Sequence, residues 1–319
     1  GANSHGQLGQ GFRSEECVLP CEVDLSKCSL EPQKIKKIIG GAGHTLILDD
    51  YGCVYSCGWN NKGQVGFSTK EDILLFQKLK GKLKNKVIVD IACGWDCSAA
   101  LTIEGTLFVW GSNSFGQLGK HPNDLQWTHE PFEVVIDRKI KRISIGLRHT
   151  VLITEDYKVF VAGTDNKGQL GLNSTKNDKS LNAVYIFTEV SNIEHISCGQ
   201  HHTIAVAKDG NFYAFGDNKY GQLGINTDIF PKTLIPIKLS DFQFKLPFNL
   251  YSGWSHVIVL KKMEKFYVGG WNEHGNCGNG HTKDVKFPEQ LLLSYNYVGI
   301  LVGSGAAHSF AIKKKKKAF

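Results

Sequence analysis

One nine-residue string recurs six times along this chain of 319 residues, and that recurrence limits the fold more than any other feature. It reads GANSHGQLG at 1–9, GWNNKGQVG at 58–66, GSNSFGQLG at 111–119, GTDNKGQLG at 163–171, GDNKYGQLG at 216–224 and GWNEHGNCG at 270–278. Successive copies start 57, 53, 52, 53 and 54 residues apart. A second string opens each unit: GAGHT (41–45), GWDCS (94–98), GLRHT (146–150), GQHHT (199–203), GWSHV (253–257) and GAAHS (305–309). Two interleaved strings that hold one period over the whole chain define a repeat architecture.

Each unit reads as short strands. Thr45 to Leu48 is an apolar run, Asp49 to Gly52 a turn, and Cys53 to Cys57 the returning strand. The next unit repeats this with Ala99 to Thr102 and Thr106 to Trp110. A further strand precedes each opening glycine, as in Lys86 to Ile91 and Lys139 to Ile145. A fourth is expected to begin at a proline: Pro20 to Val23, Pro131 to Val134, Pro236 to Leu239 and Pro288 to Leu291. Proline suits an outer edge, where a missing N–H costs little. Four antiparallel strands per unit of about 50 residues is a propeller blade, and a lone blade cannot bury both faces. The expected fold is therefore all-β, a single β-propeller over residues 1–312 with a basic C-terminal tail at 313–319. Because the chain starts on a closing string and ends on an opening one, its N- and C-terminal segments are expected to share a blade and so close the ring.

Charge narrows the partners. The net charge of +7 includes the five lysines from Lys313 to Lys317, and without them the body carries only +2. That balance argues against a broad nucleic-acid-binding surface. The lysine run itself reads as a solvated tail, with nuclear import, acidic-lipid contact or DNA contact as functional alternatives. The nine cysteines are scattered, and pairs such as Cys53/Cys57 and Cys93/Cys97 stand four apart. Buried reduced thiols fit them better than metal ligands, and point to a reducing compartment. No apolar run approaches the ~20 residues that span a bilayer. The expectation is a cytoplasmic monomer, with the nucleus as a second compartment, no membrane span and no cofactor.

The repeated histidines His44, His149, His202, His256 and His308 invite a metal or catalytic reading. One per unit, they cannot converge on one ion, so they are expected to be structural and bonded to nearby backbone. Cys97 replaces the histidine in one unit, which fits a packing role. Asn3, Asn60, Asn113, Asn218 and Asn272, with Asp165 in the same place, are expected to bond their own turns. No nucleophile elbow or phosphate loop is present in the strings. Chemistry of its own is not expected, nor is a small-molecule substrate. The variable positions then become the candidate partner-binding residues: Trp95, Asp96, Arg148, Gln200, His201 and Trp254 in the opening loops, and Trp271 and Glu273 in the last closing string. Trp and Arg are common at binding hot spots. Trp95 and Trp254 are equally suited to plugging gaps between blades. The longer polar loops, such as Ser68 to Lys86 and Lys120 to His129, name no partner.

These strings resemble the regulator of chromosome condensation repeat over essentially the whole chain. Among that family's members, GGAGHT (40–45), ACGWD (92–96), GLRHT (146–150) and GWNEHGNCGNG (270–280) are similar to the exchange factors concerned with secretion. The resemblance implies a propeller, usually of seven blades, that binds a small GTPase or another protein. Only six openings and six closings occur here. SGWSH (252–256) runs straight into GWNEHG (270–275), segments that belong to successive units in the relatives. The family's Ran exchanger uses a wedge hairpin in an expanded closing motif. All six closing strings here have one length, which argues against Ran exchange. That exchanger also places acidic and histidine residues where Asp96 and His201 stand. The implied function is a protein-interaction propeller acting as exchange factor or regulator for a small GTPase, with secretion as the process it would control. The alternatives are a chromatin-associated propeller using the lysine tail, or a scaffold without exchange activity. A light sensor would need tryptophans in consecutive opening loops, and Trp95 and Trp254 are three units apart.

Overall fold

The computed structural model describes residues 1–19, 21–173, 185–187, 192–243, 248–261, 265–291, 300–304 and 309–313. Five four-stranded antiparallel sheets carry the continuous units. The first joins Ile35–Gly40, His44–Asp49, Val54–Gly58 and Ile73–Lys78 in that order. The second joins Ile88–Cys93, Cys97–Thr102, Leu107–Ser112 and Trp127–Val134, and the third Ile140–Ile145, His149–Thr154, Val159–Gly163 and Tyr185–Phe187. The fourth holds Ile193–Cys198, His202–Ala207, Asn211–Asp217 and Lys232–Gln243. The fifth holds Phe248–Ser252, His256–Lys261, Lys265–Gly270 and Val285–Leu291. Ala2–Asn3 pairs with Ser14–Glu16, and Ile300–Ser304 with Ser309–Lys313, as two-stranded sheets.

The contacts group the chain into two compact units, the first mainly residues 1–155 with 160–164, the second mainly residues 165–177 and 186–319. In the first unit the middle strands are buried on both faces, Cys97–Thr102 and Leu107–Ser112 completely. Such strands need a cover on each side. Leu46, Leu48 and Val54 of the first sheet pack against Ile91, Phe108 and Trp110 of the second. Leu101 and Val109 of the second pack against Ile143 and Leu152 of the third. In the second unit Val206 and Phe212 meet Val257 and Val259 in the same way. Stacking of neighbours therefore supplies much of the core, and the fifth sheet adds a cluster of its own around Ile258, Phe266, Val268 and Val285.

Prolines sit differently from the expectation. Pro131, Pro236 and Pro288 lie inside their outer strands, three to four residues after the start. Each interrupts the pairing at a register shift: between Thr128 and Phe132, opposite Ala214 and Gly216, and opposite Val268 and Gly270. A bulge tolerates a missing N–H as well as a strand end does. The strand expected to start at Pro20 is not formed: residues 21–25 are irregular, and Pro20 lies outside the described residues. The fifth sheet pairs His256 with Gly270 as His44 pairs with Gly58 and His202 with Gly216.

Two of the recurrent histidines meet a hydroxyl side chain, where backbone partners were expected. His44 and His256 are buried, and their Nε2 atoms lie 2.9 Å from the hydroxyls of Ser98 and Ser309, one unit further on. His149 and His202 are fully buried too, whereas His308 lies outside the described residues. The Ser98 hydroxyl donates to the Gln64 carbonyl at 2.7 Å, so the His44 imidazole must donate to Ser98 from Nε2. Thr45, Thr150 and Thr203 make the corresponding bond to Gln7, Gln117 and Gln169 at 2.7, 2.7 and 2.8 Å. This hydroxyl clasps four of the closing strings to the next opening string, while Val257 takes its place in the fifth opening string. Burial pushes the His44 imidazole down to about 4 against a weaker pull from the Cys97 backbone, which keeps it neutral. Ser98→Ala should cost about 1–3 kcal/mol in urea unfolding, because it strands the His44 donor in the core. A loss near zero would mean the clasp contributes nothing.

Five of the nine cysteines are buried, namely Cys57, Cys93, Cys97, Cys198 and Cys277, and all nine are free. Burial raises the thiols of Cys93 and Cys277 to about 12, the behaviour of inert packing groups.

Candidate functional site

In all five four-stranded sheets one backbone bond ties the opening loop to the closing string. The amides of Trp59, Ser112, Thr164, Asp217 and Trp271 donate to the carbonyls of Gly43, Asp96, Arg148, His201 and Ser255, at 2.7 to 3.0 Å. The glycine that starts the closing string makes this possible. Gly58, Gly111, Gly163, Gly216 and Gly270 have φ from 96 to 112°. A Cβ there would lie 2.2 to 2.5 Å from the same carbonyl oxygen. The motif glycine thus places the variable opening residue, and the variable second residue of the closing string, side by side at one end of each sheet.

Neighbouring openings also touch. In the first unit Ala42 donates to the Trp95 carbonyl at 3.1 Å, and the Gly94 Cβ position is 2.9 Å from the Gly146 carbonyl. In the second, Gln200 donates to the Trp254 carbonyl at 2.8 Å. The structure therefore brings Trp95, Asp96 and Arg148 together in the first unit. In the second it joins Gln200, His201 and Trp254, with Trp271 clamped to the loop that Trp254 belongs to.

The side chains on these frames are not equally open. Arg148 and Glu273 are exposed, Trp254 is 37 % exposed, and Trp95, Asp96, Gln200, His201 and Trp271 are half-buried. Trp254 is thus no sealed plug. The Arg148 guanidinium lies over the Phe115 ring, 4.1 Å from its centroid. Burial raises the Asp96 carboxyl above the ordinary aspartate range, outweighing the Ser112 hydroxyl bond and the Arg148 and Lys62 charges that lower it. In the second unit the Trp271 indole donates to Glu273 at 3.2 Å and stands edge-on to His274 at 5.1 Å.

Several contacts at these loop ends escape a reading of the strings alone. Position five of one closing string meets position two of the next: His5 stacks on Trp59 at 4.9 Å, Lys167 pairs with Asp217 at 3.7 Å, and Tyr220 lies 6.3 Å from Trp271. His5 also lies 3.0 Å from Asp72, which takes Arg13 at 2.9 Å. His5 and Trp59 both pack against Gly43 of the first opening loop. The available signal is variation: positions two and five change freely while the glycines hold and the asparagine and glutamine are each replaced once, by Asp165 and Asn276.

These sheets are the blades of an all-β propeller whose loops at one blade end vary on a fixed frame. The chain belongs to the RCC1-like domain family, whose model matches residues 1–319. It is 28 % identical to the secretion-regulating guanine nucleotide exchange factor of Bos taurus, over 98 % of this chain and 82 % of that protein. It is 30 % identical to the X-linked retinitis pigmentosa GTPase regulator of Homo sapiens, over 82 % of this chain. The chain spans only 30 % of that regulator, and 60 % of the mouse secretion-regulating exchange factor. Among solved structures it superposes on yeast RCC1 (Prp20) with a TM-score of 0.84 at 21 % identity, over 98 % of this chain and 75 % of that one. Human WBSCR16 gives 0.82 at 23 %, over 99 % and 81 %. At those identities the two structures establish the fold.

Proposed function

We propose that this propeller regulates a small GTPase, acting as an exchange factor through its opening loops. The observation that carries the reading is the repeated carbonyl clamp, which holds Asp96, Arg148 and His201 at fixed backbone positions while their side chains vary from blade to blade. An exchange factor must bind the nucleotide-free GTPase better than the loaded one, and a rigid frame with partly open charged and aromatic groups suits that task. The names of the relatives support it, since they are an exchange factor and a GTPase regulator. Control of secretion is the finer proposal and rests on the exchange-factor relatives. Nine free cysteines support a reducing compartment, cytoplasmic with the nucleus second.

The test is release of fluorescent nucleotide from a panel of purified small GTPases. The expected result is acceleration on one member, reduced at least about tenfold by Arg148→Ala, Asp96→Asn or His201→Ala. Acceleration untouched by all three substitutions would move the site elsewhere. No acceleration on any GTPase, with the protein shown to be folded, would leave a binding scaffold.

A further inference from the structure

The segment from Ser68 to Lys86, expected as a loop, holds the outer strand Ile73–Lys78 of the first sheet and carries a basic tract that the opening-loop site does not use. Lys78, Lys80, Lys82, Lys84 and Lys86 alternate over nine residues, and no acidic residue occurs between Asp72 and Asp90. All five lysines are exposed, yet the tract is anchored. Leu79 and Leu83 are buried among Leu46, Val54 and Trp110 of the two flanking sheets. The amides of Leu79, Lys84 and Lys86 donate to the carbonyls of Val54, Gly81 and Leu83 at 2.8 to 3.1 Å. Charge that would elsewhere wave on a free loop is fixed here on the surface of the first unit.

The tract borders a groove of about 730 Å³, within the size range of small-ligand pockets. Lys27, Lys78, Lys80 and Lys82 line it with exposed ammonium groups, and Phe67 and the buried Phe76 supply apolar wall. Its one acidic lining residue, Glu130, is bonded by the Ser68 hydroxyl. Those four lysines make no ion pair with another of the described residues. We propose that this groove docks a short acidic peptide segment of a partner protein, with carboxylates on the lysine rim and an aromatic or aliphatic side chain against Phe67 and Phe76. The apolar wall favours a peptide over a purely charged polyanion, for which lysines alone would serve.

Fluorescence anisotropy with rhodamine-labelled Glu-Glu-Phe-Glu-Glu-Phe-Glu tests this on the full chain. Binding is expected at low salt, weakening at least about tenfold between 50 and 300 mM NaCl as screening shortens the reach of the rim charges. Lys80→Glu combined with Lys82→Glu should weaken it at least about tenfold, while Lys120→Glu with Lys283→Glu, equal in charge and elsewhere on the surface, should not. A peptide with serine for both phenylalanines should bind several-fold more weakly, as loss of two apolar contacts requires. Absence of binding at low salt, or equal loss in both charge variants, would overturn the proposal. So would single-stranded DNA or phosphatidylserine vesicles binding through Lys80 and Lys82 more tightly than the peptide.

Discussion

Asp165→Asn should stabilise the protein at pH 7 by about 3 kcal/mol, an unusual sign for a change to a buried polar residue. Five closing strings hold asparagine at their third position, each wholly buried. Its carbonyl oxygen accepts the amide five residues on, as Asn113 does from Leu118 at 2.8 Å. Its amide group donates to the carbonyl seven residues on in three of them: Asn60 to Phe67, Asn113 to Lys120 and Asn218 to Ile225. Among the described residues Asp165 reproduces only the first bond, from Leu170 at 2.7 Å. Its Oδ2 is buried with no hydrogen-bond partner among the described residues, where an asparagine would present a donor. Burial accordingly raises the carboxyl to about 6, against the lowering pull of the Leu170, Leu172 and Gly171 backbone. A raised acid binds its proton more tightly folded than unfolded, so stability is greatest at low pH and falls as pH rises from about 4 to about 6. The shift of about two units converts to about 3 kcal/mol. His44, held near 4, works the other way and loses stability as pH falls below 6.5. The readout is therefore the difference between variant and parent in urea unfolding at pH 7 and pH 4. The difference should be large at pH 7 and shrink to within about 1 kcal/mol at pH 4, where the protonated aspartate can itself donate. A difference that does not change with pH would remove the carboxylate as its cause.

Asp165 also marks the boundary of what the strings disclose. Its place in the motif identifies the turn it belongs to, because asparagine and aspartate both favour such turns. Its cost depends on burial, which only the folded loop imposes. The same division holds for the histidines. Their regularity excludes a shared metal, but the Ser98 and Ser309 hydroxyls are 54 and 53 residues distant and belong to the next unit. Strand order and period were legible because glycine with positive φ is demanded at fixed points. The proline bulges were not, since proline removes a donor equally well at a strand head and in mid-strand. Trp95, Asp96 and Arg148 could be picked out by variation inside a constant frame. Phe115 beneath Arg148, and His5 against Trp59, depend on the stagger of adjacent sheets, which no single unit encodes.

Gly111→Ala should cost about 2–6 kcal/mol and disturb the candidate site together with the fold. The residue sits at φ 96°, where an L side chain is strained by about 1–3 kcal/mol. Its added Cβ would lie 2.5 Å from the Asp96 carbonyl oxygen and 2.7 Å from the Cys97 Cα, both backbone atoms with no rotamer to turn aside. Relief requires the Asp96 loop to move, and the bond from the Ser112 amide at 2.9 Å moves with it. Overpacking of this kind adds about another 1–3 kcal/mol. Gly81→Ala separates the two terms. Gly81 also has positive φ, 60°, but a Cβ there meets nothing within 4 Å, so only the conformational cost of about 1 kcal/mol remains. Urea unfolding of the two variants should therefore differ by about 2 kcal/mol or more. Equal costs would show that the closing glycine is needed for its φ alone, and that the close approach to Asp96 places nothing. A large difference, accompanied by loss of whatever partner response Arg148→Ala also abolishes, would tie the repeated glycine directly to the position of the loop residues that vary around it.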